Sequence, residues 1–78
     1  MPTIRVTVKL FAQYREGRFK VEERTYQEGI CAQDIIQELD LERELPLGVL
    51  MVNSKHQQPD YVIKEGDIIA LFPKVGGG

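Results

Sequence analysis

The chain has 78 residues, 42% hydrophobic and 28% charged, with a net charge of -2 from 12 acidic and 10 basic side chains. This is one small domain, too apolar for disorder and too short to wall an enclosed catalytic cavity on all sides. The acidic balance and the scattered lysines and arginines count against nucleic acid as a partner, and the single cysteine, Cys31, excludes an internal disulfide and a multi-cysteine zinc site.

The first segment, "TIRVTVKL", alternates Ile4, Val6, Val8 and Leu10 with Thr3, Arg5, Thr7 and Lys9. A period of two places four apolar side chains on one face of a strand, and such a start is neither a secretory signal nor a membrane anchor. With no disulfide to form, the sequence suits a reducing, cytoplasmic setting. Gly17 marks a turn in "FAQYREGR". "RFKVEERTY" alternates more weakly through Phe19 and Val21, with Tyr26 out of phase, and completes an antiparallel hairpin.

The period then changes. Ala32, Ile35, Ile36 and Leu39 recur at steps of three and four, one stripe of a helix of about three turns. Gly29 precedes it, Glu28 and Asp34 lie near its positive end, and Pro46 prevents a long continuation. "LGVLMVN" is apolar through Val49, Leu50, Met51 and Val52 and suits a mostly covered strand. "NSKHQQPD" is polar, with room for a minor strand, and Gly66 turns the chain in "KEGD". The last strand, "DIIALF", is closed by Pro73, which has no N–H to extend the pairing.

Strand, strand, helix, strand, minor strand, strand is the order of a β-grasp domain. The expected fold is α+β: a mixed sheet of about four to five strands, one main helix on one face, and the other face wet. The domain spans residues 1–73, and residues 74–78 form a flexible glycine-rich tail. If Ile69 and Leu71 face the helix, Ile68, Ala70 and Phe72 face outward. Phe11 falls out of phase with the first strand and also points away from the core. The first and last strands are expected neighbours, so the two aromatic rings meet near the root of the tail and suggest an interface.

"KVGGG" ends the chain with freedom and without bulk. Its one chemical handle is the Gly78 carboxylate. A carboxylate becomes reactive once ATP converts it to an acyl adenylate, and a slim terminus can thread the narrow passage to a partner's nucleotide. Other candidates have simpler readings. Cys31 is a small residue at a helix start, and His56 is a loop histidine without companions at ligand spacing. Glu38, Asp40, Glu42 and Glu44 form a solvated face, and Gly66 belongs to no phosphate-cradling motif.

"LFAQYREG", "VN", "EGD" and "LFPKVGGG", in that order and spacing, resemble the MoaD family of molybdopterin synthase small subunits. They resemble less closely the thiamine-pathway sulfur carrier ThiS. The resemblance runs over the whole chain and implies a ubiquitin-like fold. It implies that the protein is a cosubstrate, not an enzyme, and binds no cofactor itself. Its partners are a ubiquitin-activating-type adenylyltransferase, which uses ATP, and a larger synthase subunit or another sulfur-accepting enzyme. Gly78, beside Gly77, is the residue adenylated and converted to a thiocarboxylate. Phe11 and Phe72 match docking aromatics, and Pro73, Lys74, Val75 and Gly76 lead to the reactive end. Lys74 departs from the family, which commonly carries a second proline there, and His56 stands where an apolar contact residue occurs. A ubiquitin-like modifier joined to lysines through Gly78 is the alternative, and a plain interaction module a third reading.

Overall fold

The structure, a computed structural model, describes residues 2–43 and 45–74. In chain order the elements are β1 (Thr3–Leu10), β2 (Val21–Gln27), α1 (Ala32–Glu38), β3 (Leu47–Val52), β4 (Lys55–His56) and β5 (Ile68–Pro73). Single 3₁₀ turns at Ala12–Arg15 and Leu41–Arg43 fill two of the connections. The strands form one five-stranded sheet in the order β2-β1-β5-β3-β4. β1 and β5 run parallel, with Val8 opposite Ile69 and Leu10 opposite Leu71. The β1–β2, β3–β5 and β3–β4 pairs are antiparallel. This is the expected β-grasp, with the first and last strands side by side.

The alternation in β1 does what its period dictates. Ile4, Val6, Val8 and Leu10 are buried and meet Ile35 and Ile36 of the helix, Leu50 and Val52 of β3, and Ile69 and Leu71 of β5 in one core. Burying each of these side chains contributes roughly 1.5–3 kcal/mol, against a net stability for a chain this size of only about 4–12 kcal/mol.

Three local expectations are corrected. The helix has seven residues, about two turns rather than three. It stops because Asp40 adopts a left-handed φ of 55°, and Arg18 closes the end by donating to the carbonyls of Leu39 and Asp40, each at 3.3 Å. Second, the phase of β2 is reversed. Tyr26 pairs with Ile4 and faces the core side, while Val21 pairs with Lys9 and is 52% exposed. β2 is an edge strand, and Glu22, Arg24 and Tyr26 on its inner face meet the polar flank of the helix. Arg24 pairs with Glu22 and Glu38, and the Tyr26 hydroxyl donates to Glu38 at 2.7 Å. Third, β3 is covered on one face only: Leu50 and Val52 are buried, whereas Val49 and Met51 are half-exposed on the other face.

Two features close the far end of the sheet. Asn53 and Ser54, both with positive φ, make the tight turn between β3 and β4. Asp67, only 6% exposed, accepts hydrogen bonds from Asn53 Nδ2 (2.9 Å), the Tyr61 hydroxyl (3.1 Å) and the Lys64 amide (2.8 Å). Asn53 Oδ1 in turn accepts from the Ile68 amide at 3.0 Å. The "VN" and "EGD" segments therefore hold one another, fixing the start of β5 against the β3–β4 turn.

Candidate functional site

The sheet has a covered face and an open one. On the open face, β1 and β2 present Arg5, Thr7, Lys9 and Glu23, with Arg5 and Glu23 paired at 3.0 Å. That half is polar, as expected. The half built by β5 and β3 is not. Ile68 is 42% exposed, and Ala70, Phe72, Val49 and Met51 are each half-buried. The expected wet face therefore holds for the β1–β2 half, while on the β3–β5 half Ile68, Ala70 and Phe72 face outward as expected. The helix covers one side of β3 and β5, and the apolar residues on the other side stay partly open.

Phe11 and Phe72 meet at one end of this apolar strip. Their rings stack with centroids 4.2 Å apart and planes inclined by 10°. β5 delivers Phe72 outward because Leu71 before it is fully buried. Phe11 is placed by the exit of β1: its amide donates to the Leu71 carbonyl at 3.2 Å. The following Ala12 has φ 53°, a left-handed value unusual for an alanine, and starts the 3₁₀ turn. Tyr14 anchors that turn from below. It is 2% exposed and donates its hydroxyl to the Leu45 carbonyl at 2.9 Å, and burial pushes its phenol up to about 12.

Ala12, Val49, Met51, His56, Phe72 and Pro73 line a shallow, largely apolar groove on this face. Sequence reasoning found Phe72 and Pro73 and missed Val49 and Met51, which it placed in a covered strand. The available signal was that one short helix covers only one side of a sheet, so alternate residues of an all-apolar strand must face away from it. His56, expected in a loop, is instead exposed on β4, opposite Met51.

The groove ends where the tail begins. Pro73 is buried and is the last residue of β5, opposite Leu47. Proline does not end the pairing there: the next amide, that of Lys74, donates to the Pro46 carbonyl at 2.8 Å. Lys74 itself is exposed. Val75, Gly76, Gly77 and Gly78, the rest of the expected reactive tail, lie outside the described residues, as does Glu44 of the acidic set.

The remaining candidates keep their simple readings. Cys31 caps the helix, its amide donating to Asp34 at 3.0 Å, and Gly66 is a turn residue with φ 83°. Glu38 is occupied by Tyr26 and Arg24, and Glu42 accepts from the Leu47 amide at 3.0 Å. Among the described residues no cluster of acids, histidines and cysteine has the makings of a metal site, and no helix is long and apolar enough to cross a membrane.

Comparison with known proteins agrees with this fold. The ThiS family model matches residues 8–78. A search of curated protein sequences gives no match. Among solved structures, a Pyrococcus furiosus protein assigned as molybdopterin converting factor subunit 1 is 29% identical and superposes with a TM-score of 0.76, covering 92% of this chain and 99% of that one. The complex of subunits 1 and 2 of molybdopterin-converting factor from Helicobacter pylori contains a chain that is 24% identical, with a TM-score of 0.64 and coverage of 96% and 100%. Small archaeal modifier protein 1 of Haloferax volcanii shares the fold at 20% identity, with a TM-score of 0.75 over 92% of this chain and 99% of its own. A ubiquitin-like β-grasp sheet and a family match over nearly the whole sequence lead to one conclusion: the chain belongs to the ThiS family, small sulfur-carrier proteins and subunits that are not themselves enzymes.

Proposed function

We propose that this protein carries sulfur on its C-terminal glycine for molybdopterin biosynthesis. The Gly78 carboxylate attacks the α-phosphorus of ATP in a ubiquitin-activating-type adenylyltransferase, releasing pyrophosphate and forming an acyl adenylate. A sulfur nucleophile supplied by a partner displaces AMP. Once the sulfur–donor bond is cleaved reductively by a thiol, a thiocarboxylate remains, with one oxygen exchanged for sulfur. A larger synthase subunit then holds an acceptor, the thiocarboxylate sulfur displaces an oxygen leaving group from it, and water hydrolyses the resulting acyl–sulfur bond, leaving the sulfur on the acceptor and returning the Gly78 carboxylate. The Helicobacter pylori two-subunit complex supports a partner of this kind.

The observation that carries this reading is the stacked Phe11–Phe72 pair on an apolar strip that ends at the root of the "KVGGG" tail. A partner seated on that strip receives the tail at its edge. Removing the apolar surface from water drives docking, and the slim glycines admit the carboxylate to a site that bulkier residues would block. In this scheme the protein needs no catalytic group of its own.

The test is activation of the full chain by its adenylyltransferase with ATP and a sulfur donor, followed by mass spectrometry. The intact chain should gain the mass of sulfur replacing oxygen at Gly78. A chain lacking Gly78, or extended beyond it, should fold and gain nothing. Thiocarboxylation that survives the deletion would refute the proposal. A second reading, conjugation to lysines through Gly78, draws on the likeness to small archaeal modifier protein 1. It predicts branched glycine remnants on other proteins in the native host. The family model leaves room for a thiamine-pathway acceptor, which reconstitution with each acceptor enzyme would distinguish.

A further inference from the structure

Three of the described glycines, Gly17, Gly29 and Gly66, have positive φ and nothing near the position a Cβ would take. Gly48 is the reverse case. Its φ is unremarkable, but a Cβ there would lie 2.8 Å from the Lys74 nitrogen, 2.8 Å from the Lys74 Cα and 2.8 Å from the Pro73 carbonyl oxygen. All three are backbone atoms, so no side chain can swing aside to make room. Gly48 also sits in the β3–β5 ladder where the register shifts, between Leu47 opposite Pro73 and Val49 opposite Phe72. Beside it the Lys74 amide is tied to the Pro46 carbonyl at 2.8 Å.

We infer that Gly48 is a positioning residue for the chemistry at Gly78: its missing side chain lets the start of β3 grip the backbone at Lys74 and fixes where the tail departs. The inference rests on the proposed activation of Gly78. Four residues separate Lys74 from the reactive group proposed at Gly78, and that stretch spans at most about 14 Å when fully extended. A tail so short cannot recover a displaced root by searching. The departure point must hold its place relative to Phe72 and Pro73, which border the docking groove on the same strand. A Cβ at residue 48 pushes Pro73 and Lys74 outward and moves the carboxylate relative to a partner that still binds the groove.

The full chain and its adenylyltransferase provide the test. Gly48→Ala should leave the KM for the carrier within about twofold and lower the kcat of adenylate formation at least tenfold, since misplacing a reacting group by about 1 Å can cost as much as 100-fold. A variant that merely loosened the fold would show a raised KM with kcat little changed instead. An ester in place of the Pro73–Lys74 amide, made by chemical ligation, removes the donor without adding bulk and should lower kcat in the same direction. In the unaltered chain the Lys74 amide should exchange with solvent at least about tenfold more slowly than in an unstructured peptide. Unchanged kcat in both variants, or an unprotected Lys74 amide, overturns the inference while leaving carriage by Gly78 intact. Failure of the unaltered chain to be adenylated overturns the proposed function instead, and the exchange measurement then decides the grip alone.

Discussion

Replacing Asp67 tests whether the junction between the β3–β4 turn and β5 is held as described. Asp67 is 6% exposed and its carboxylate accepts three hydrogen bonds, at 2.9, 3.1 and 2.8 Å. Hydrogen bonds to a charged group contribute roughly 1.5–3 kcal/mol each when buried. Two of the donors, on Asn53 and Lys64, belong to exposed residues and can be rehydrated, so the full sum of three is not expected. Asp67→Ala should cost about 3 kcal/mol. Asp67→Asn should cost about 2 kcal/mol, because the amide keeps an acceptor but turns a donor toward the Lys64 N–H. On a total near 4–12 kcal/mol this leaves the alanine variant roughly 1–9 kcal/mol, with a melting temperature lower by roughly 12–24 °C. Urea unfolding followed by circular dichroism measures both, and is preferable to intrinsic tryptophan fluorescence because the chain has no tryptophan. A loss under about 0.5 kcal/mol in Asp67→Ala would show that the network is solvated and that the turn is held by backbone pairing alone.

The stacked rings make a further prediction: a double-mutant cycle of Phe11→Ala and Phe72→Ala should give a coupling of about 0.5–1.5 kcal/mol in the stability of the free protein, and the double variant should lose affinity for both the adenylyltransferase and the acceptor subunit. Unchanged affinity for both partners would discard the groove as a docking face. Alkaline pH should destabilise the fold through Tyr14, whose phenol burial raises from 10.0 to about 12. The folded state holds that proton more tightly, so its contribution is complete below the unfolded value and is lost as pH rises from about 10 to about 12, a fall of order 2–3 kcal/mol. Tyr14→Phe should remove this share of the fall and leave that of Tyr26, whose phenol burial likewise raises to about 12; an unchanged slope would assign the whole fall elsewhere. At the helix end, Asp40→Gly should stabilise by about 0.5 kcal/mol in thermal melts, because glycine holds a φ of 55° without strain and the ion pair lost with Arg43 is exposed. A decrease in melting temperature would mean that the Asp40 carboxylate contributes more than its geometry indicates.

What the sequence disclosed follows physical lines. β1 was legible because one of its faces is wholly buried, so its period of two is clean. The outward aim of Ile68, Ala70 and Phe72 followed from the opposite phase of Ile69 and Leu71. β2 was misphased because its inner face runs past the helix stripe: there Arg24 and Glu22 satisfy each other, and a polar pair looks like solvent in a hydropathy pattern. Tyr14 was missed because a 3₁₀ turn buries one residue without any repeat to betray it. The half-open face of β3 was missed for a geometric reason. An all-apolar run does not say whether the second face meets the same protein or another one.

The central position of β5 also bears on how this chain folds. β5 joins β1–β2 to β3–β4, and its pairing with β1 spans almost the entire sequence. Until residues 68–73 have been synthesised and have inserted, the two hairpins share no ladder and Ile69 and Leu71 are missing from between them. Such a topology closes late and pays a long-range entropy cost in its rate. A nascent polypeptide interrupted before this strand would expose two unpaired sheet edges, which marks it for chaperones and proteases before any partner could engage it.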